Sequence, residues 1–195
     1  MVRIKLAGWM GLCGLGLLLA GCAHRAPTFS PTAVPDATAT IFYGRFTMGH
    51  DWALHNELAL WLQNVETRKN LYVYFDPDQP VYAVPAAAGR YRIAGFVGVN
   101  RVHEIEVRHE FRSSQTAMVV APFTAPARTA VYLGDFMGQA TFDGAMMEWR
   151  VNRGTNNFTA TTAEFRKEYP NLGSAPATSR WRSLQDRPGA SEPRP

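Results

Sequence analysis

Apolar positions in this chain recur mostly with a period of two, in short runs separated by turn-forming residues, which is the pattern of β-strands. Over residues 57–63, Leu58, Leu60 and Leu62 alternate with Ala59, Trp61 and Gln63, so one face of a strand is apolar and turned to a core. Thr40-Ile41-Phe42-Tyr43-Gly44-Arg45-Phe46 is rich in β-branched and aromatic side chains. Leu71-Tyr72-Val73-Tyr74-Phe75 is almost wholly apolar and ends at the turn Asp76-Pro77-Asp78. Further strands are predicted at 81–84, at 90–97 with Tyr91, Ile93 and Phe96 inward, and at 102–111, 117–121, 129–133, 139–142 and 145–151. The last two flank Asp143-Gly144, a pair suited to a type I′ hairpin because both central residues need positive φ. One helix is predicted. Thr161-Thr162-Ala163-Glu164 reads as a capping box with Thr161 as N-cap, and the helix runs to Tyr169 and stops before Pro170. Short strands with a single late helix predict a mainly β domain, an antiparallel β-sandwich with one short C-terminal helix.

This pattern occupies residues 38–172. Before it, residues 22–37 hold Pro27, Pro31 and Pro35 among Ala, Thr and Ser, the composition of an extended tether. After it, residues 173–195 hold Pro176, Pro188, Pro193 and Pro195 and read as a disordered C-terminal tail, in which only Trp181 and Leu184 are large apolar residues able to dock.

The N-terminus follows a different rule. Arg3 and Lys5 precede an uncharged segment of sixteen residues, Leu6 to Gly21. That is shorter than the roughly 20 apolar residues of a bilayer-crossing helix, so residues 1–21 read as a secretory signal peptide and not as an anchor. The segment ends in Leu19-Ala20-Gly21-Cys22, which resembles the lipobox of bacterial lipoproteins. The resemblance implies cleavage between Gly21 and Cys22, a diacylglycerol on the Cys22 sulfur, and a further acyl chain such as palmitate on its amine. Each buried CH2 contributes about 0.8 kcal/mol and one chain binds only marginally, so two or three chains give durable attachment. Ala23 follows the cysteine where an inner-membrane retention signal would carry Asp, and by resemblance to enteric sorting this implies the outer membrane, facing the periplasm. The alternatives are an ordinary signal cut nearby or a buried core cysteine. Cys13, the only other cysteine, leaves with the signal, so the mature chain can form no internal disulfide and depends on its hydrophobic core.

Removal of 21 residues leaves 174, one ordinary domain with tails, and lowers the formal charge from +4 to +2. No basic stripe of the kind that binds nucleic acid is present. The Arg180, Arg182, Arg187 and Arg194 cluster near the C-terminus is opposed by Asp186 and Glu192 and reads as a solvated tail, the alternative being a tail that brushes anionic headgroups.

Three local patterns point to a family. Pro85-Ala86-Ala87-Ala88-Gly89-Arg90-Tyr91-Arg92-Ile93 resembles a lengthened form of the turn and strand of bacterial prealbumin-like sandwich domains. Asn70-Leu71-Tyr72-Val73-Tyr74-Phe75 matches their early core strand. Ala127-Arg128-Thr129-Ala130-Val131-Tyr132-Leu133-Gly134-Asp135-Phe136 is similar to a strand of uncharacterised lipoproteins with that architecture, departing at Arg128, where the family has Gly. The resemblance covers residues 57–136 and implies a prealbumin-like (transthyretin-like, Ig-like) sandwich, with no catalytic residues to carry over. The residues themselves support the same local readings. Gly89 permits the positive φ of a tight turn, Tyr91 can bury its ring while its hydroxyl finds a backbone partner, and Gly134-Asp135 lets a strand end in a turn.

Two stretches gather residues capable of chemistry. His103-Glu104-Ile105-Glu106-Val107-Arg108-His109-Glu110-Phe111-Arg112 has two histidines and three glutamates, but its histidines lie six apart, not four as in the helical zinc motif. On a strand they are about 20 Å apart at ~3.3 Å per residue, too far to share an ion. The stretch reads as a half-buried strand, with His103, Ile105, Val107, His109 and Phe111 inward and the charges outward. In the connection between two strands, His50, Asp51 and His55 are the candidate ligand or metal residues, with turn hydrogen bonding as the other reading. No G-x-S-x-G and no Gly-rich phosphate loop occurs. Met146-Met147 beside Trp149 reads as hairpin packing.

The sequence therefore predicts a non-enzymatic lipoprotein tethered to the outer membrane, without a cofactor, that binds or supports other envelope components and no nucleic acid. One rival is an accessory subunit of a secretion or transport assembly, and another is a metal-dependent hydrolase built on the loop from His50 to His55. Full ligand occupancy is needed to form a metal site. Elemental analysis of the purified protein is therefore expected to give less than about 0.1 metal per chain, and a stoichiometric zinc content would favour the hydrolase.

Overall fold

The computed structural model describes residues 24–26, 28–36, 38–48, 56–76, 78–100, 105–111, 121–143, 146–151 and 154–181. In chain order the strands are β1 (His24–Ala26), β2 (Thr40–Met48), β3 (Asn56–Asn64), β4 (Asn70–Tyr74), β5 (Val81–Ala86), β6 (Gly89–Asn100), β7 (Ile105–Glu110), β8 (Phe123–Ala125), β9 (Ala130–Asp143) and β10 (Met146–Val151). Helix α1 (Phe158–Glu168) and strand β11 (Ala177–Ser179) follow. The first sheet has the order β1-β4-β3-β6-β7, with β8 also on β6, and the second has β10-β9-β2-β5, with β11 on β9.

The two sheets share one core. Leu58, Leu60, Leu62, Val73, Ile93 and Phe96 of the first meet Phe42, Phe46, Val84, Val131, Leu133 and Phe136 of the second. The predicted inner face of β3 is thus its buried face. On its far side the second sheet is covered by α1, whose Phe165 packs with Ile41, Tyr43, Val81, Ala83 and Tyr132, joined by Tyr169 and Leu172 just beyond the helix. Residues 40–44 of β2 are accordingly buried on both faces, which is why their sequence shows no polar side chain facing water. Each fully buried Phe or Leu contributes about 1.5–3 kcal/mol of hydrophobic stabilisation.

Several expectations are corrected. Pairing is mixed, because β2 with β9, β1 with β4 and β11 with β9 run parallel while the remaining pairs are antiparallel. Hairpin reasoning orients only strands close in sequence, and β2 and β9 are brought together from far apart. Predicted strands 129–133 and 139–142 are one strand, β9, and Gly134-Asp135 lies inside it. Asp143 pairs with Met146 in the β9–β10 ladder, so it is a strand residue, and Gly144 lies outside the described residues. Of the predicted strand 117–121 only Ala121 is described, and β8 (Phe123–Ala125) lies just beyond it.

The inward face expected for 103–111 is corrected at Val107 and His109. In β7, Glu106, Val107, Arg108, His109 and Glu110 are all exposed, Val107 at 43%, and Phe111 just beyond the strand is buried as expected. Among the described residues β7 is the last strand of its sheet, a position that period-two alternation alone cannot report.

Nor are the expected tether and tail wholly outside the domain. Residues 24–26 pair with 71–73 of β4, and β11 adds an edge to β9. Conversely, the first sheet's outer face is not polar: Ala59, Tyr72, Val97 and Val99 cluster there with Trp61 and Tyr74, and the Arg108 guanidinium stands 5.9 Å from the Tyr72 ring centre.

The turn leading into β6 follows the sequence closely. Gly89 has φ 156°, a Cβ there would lie 2.8 Å from Asn64 Nδ2, and the buried Tyr91 donates its hydroxyl to the Ala87 carbonyl at 3.0 Å. Gly89→Val is expected to cost about 1–3 kcal/mol in backbone strain, lowering the melting temperature by roughly 3–10 °C. Calorimetry showing an unchanged midpoint would contradict the strained turn.

Candidate functional site

Strand β9 carries the main polar constellation of the described residues, and a β-bulge creates it. Tyr43 pairs with Tyr132 but Gly44 pairs with Gly134, so Leu133 is an extra residue on β9. Tyr132 lies under the helix and Leu133 in the inter-sheet core. Strict alternation would then send Asp135 into that core and Phe136 out of it. The bulge shifts the phase by one, so that Phe136 is buried between the sheets and Asp135 faces α1. Asp135 is only 8% exposed, and its carboxylate accepts from Tyr132 Oη at 2.9 Å, from Thr161 Oγ1 at 2.9 Å and from Asn157 Nδ2 at 3.0 Å. Its backbone exchanges two hydrogen bonds with Thr155.

This explains why the predicted capping box does not form. The Thr161 N–H already bonds the Asn157 carbonyl, so Thr161 is inside the helix, and Asn157 is the N-cap, without a side-chain cap bond. The Thr161 hydroxyl serves Asp135 instead, and Glu164 pairs with Arg45 of β2. The neighbouring Thr162 donates to Phe158 O and accepts from Tyr43 Oη at 2.7 Å. Burial pushes the Tyr43 phenol up to about 12 and the Tyr132 phenol higher still, so both hydroxyls remain protonated donors at neutral pH.

The bulge also receives the C-terminal segment. Gly134 has φ 125°, and a Cβ on it would stand 2.6 Å from Trp181 Cη2, so the indole lies directly on the strand backbone. Arg180 is 1% exposed, donates Nε–H to the Leu133 carbonyl and stacks its guanidinium 3.7 Å from the Trp181 ring centre. Burial lowers the Arg180 pKa to about 10, which leaves it cationic at neutral pH. All these groups are occupied with one another, and the constellation is a structural clamp.

A cleft of about 960 Å³ lies at one end of the sandwich. It is lined by Asn64 and residues 67–70 of the β3–β4 turn, by residues 85–88 of the β5–β6 turn, and by Leu71, Tyr72, Tyr91 and Arg108. The turn is built by Asn64, whose Oδ1 accepts from the Glu66 and Thr67 N–H groups at 3.1 and 2.8 Å, and by Arg68 in left-handed conformation at φ 61°. Arg68 and Lys69 are exposed at its mouth, and Arg108 is paired with Glu106 at 2.7 Å. Amide groups and cations with no carboxylate among the lining residues suit the cleft to an anionic group. The signal that could have found it is an Asn-closed turn carrying Arg68-Lys69 between two strands.

Of the residues nominated from sequence, His50, Asp51 and His55 lie outside the described residues, as do Gly21, Cys22 and His103. His109 is exposed on β7 and stacks against Phe96 at 4.9 Å. Among the described residues no three His, Cys, Asp or Glu side chains converge as a metal site, and no helix is long and apolar enough to cross a membrane. No protein-family model matches the chain, and no curated protein is similar enough to match it.

Asp135→Ala would leave the Tyr132, Thr161 and Asn157 donors without their shared acceptor. Stability is expected to fall by about 3 kcal/mol, read as a lower urea midpoint at unchanged slope. A loss below about 0.5 kcal/mol, the usual range for a surface position, would show that Asp135 does not hold the helix.

Proposed function

We propose that the chain is a lipid-anchored protein of the bacterial envelope, attached to the outer membrane through acylated Cys22 and facing the periplasm. Its prealbumin-like sandwich serves there as a non-enzymatic binding or structural accessory. The observation that carries this reading is Leu19-Ala20-Gly21-Cys22 placed directly after a charged start and a sixteen-residue apolar segment. It is supported by a core that needs no disulfide in an oxidising compartment, and by a cleft whose side chains suit an anion rather than bond-breaking chemistry.

A second reading, an accessory subunit of a secretion or transport assembly, draws on β7. Among the described residues this strand is the last of its sheet, with Val107 43% exposed, an edge on which another chain could add a strand. Affinity purification from detergent-solubilised membranes returning a stoichiometric partner would favour that reading.

Cys22→Ser is expected to stop processing. The precursor would keep residues 1–21, incorporate no radiolabelled palmitate, and migrate above the mature form. Acyl label on the serine variant, or a bare thiol at position 22 in the mass spectrum of the native protein, would overturn the anchor.

A further inference from the structure

We infer that the sandwich is seated on the membrane with a fixed end down, and that the β3–β4 turn, through Arg68 and Lys69, contacts anionic lipid headgroups. The inference rests on Cys22 carrying the lipid. Strand β1 runs parallel to β4, with His24 opposite Leu71, Arg25 opposite Tyr72 and Ala26 opposite Val73. Its first residue therefore lies at the end of the sandwich where β4 begins, immediately after Lys69. Cys22 is two residues before His24, a reach of about 7 Å at most. An acyl chain on its sulfur consequently enters the bilayer beside the β3–β4 turn, and a long free tether does not separate the two.

The charge at that end suits a membrane surface. Arg68 and Lys69 are exposed at the mouth of the cleft, and Arg90 is exposed close by, its N–H bonded to Glu66 Oε2 at 3.2 Å. Arg128 occupies the β8–β9 turn at the same end, its N–H on Ala39 O. Among the described residues two carboxylates share this end: Glu66, and Asp36, which is held below the usual carboxylate range by hydrogen bonds from Thr38. Cations remain in excess. At the other end of β4 the next turn is acidic, with Asp76 accepting from the Asp78 N–H at 2.9 Å. The five residues of β4 separate the two turns by about 16 Å. The cleft behind Arg68 and Lys69, with its Asn64, Thr67 and Asn70 side chains, can receive a headgroup phosphate.

The test uses the full, acylated chain in vesicles. The mature protein has no cysteine besides Cys22, so Thr67→Cys and Asp78→Cys each add one thiol for a fluorophore. Both positions are exposed. Quenching by a headgroup nitroxide is compared in vesicles of phosphatidylethanolamine with phosphatidylglycerol and of phosphatidylcholine alone. The label at 67 is expected to be quenched in the anionic vesicles while that at 78 is not. Replacing Arg68 and Lys69 by Gln should lower the docked fraction's ratio to the undocked by about thirtyfold, from roughly 1 kcal/mol per cation near an anionic surface. Equal quenching at both positions, or stronger quenching at 78, would overturn the orientation. Quenching at 67 that ignores both lipid charge and the double substitution would overturn the headgroup contact. A chain without acyl label would remove the lipoprotein reading and this inference with it, whereas an acylated chain with equal quenching would remove this inference alone.

Discussion

The extra residue at Leu133–Gly134 in β9 is the constraint on which the second half of the structure depends. A strand alternates strictly, and a strand that must bury apolar residues on one face and meet a helix on the other has nowhere to put a carboxylate except the wrong side. One inserted residue changes the phase, so Leu133 and Phe136 both reach the inter-sheet core while Tyr132 and Asp135 both face the helix. The same insertion opens the backbone at Gly134, and Trp181 and Arg180 close over it. Helix position, C-terminal docking and the burial of Asp135 are consequences of a single register shift.

A second shift does similar work in the first sheet. Trp61 pairs with Gly95 and Leu62 with Ile93, leaving Ala94 extra on β6. This is what allows Tyr91, Ile93 and Phe96, spaced two and then three apart, to share one core. Gly95 is required there because the His109 carbonyl of β7 occupies the place of a side chain. Both bulges sit where a glycine removes the steric objection, and in both the apolar spacing on either side is out of phase by one. The sequence contains that phase slip, but a glycine between two apolar runs reads equally well as a turn, as Gly134-Asp135 does.

The functional reading divides between what covalent chemistry and what packing supplies. The proposed anchor depends on four residues and their distance from a charged start, and no tertiary contact alters it. The proposed seat of the domain on the membrane depends on three residues, His24–Ala26, pairing with β4 in a parallel direction. Composition alone placed them in a tether rich in proline, and proline-rich segments give no indication of which edge will accept them.

Local order was therefore legible, and partnership was not. The sequence by itself determined the strands 40–46, 57–63, 71–75 and 90–97, the turn at Gly89 with Tyr91 behind it, and the end of the helix before Pro170, because each follows from neighbouring side chains and backbone preference. Only the tertiary structure decided that β2 and β9 run parallel, that residues 106–110 of β7 are exposed on both faces, that Thr161 serves Asp135 instead of capping, and that Arg180 and Trp181 belong to the core's rim. Each of those is settled by a residue far along the chain, whose approach depends on which surfaces remain uncovered once the two sheets have met.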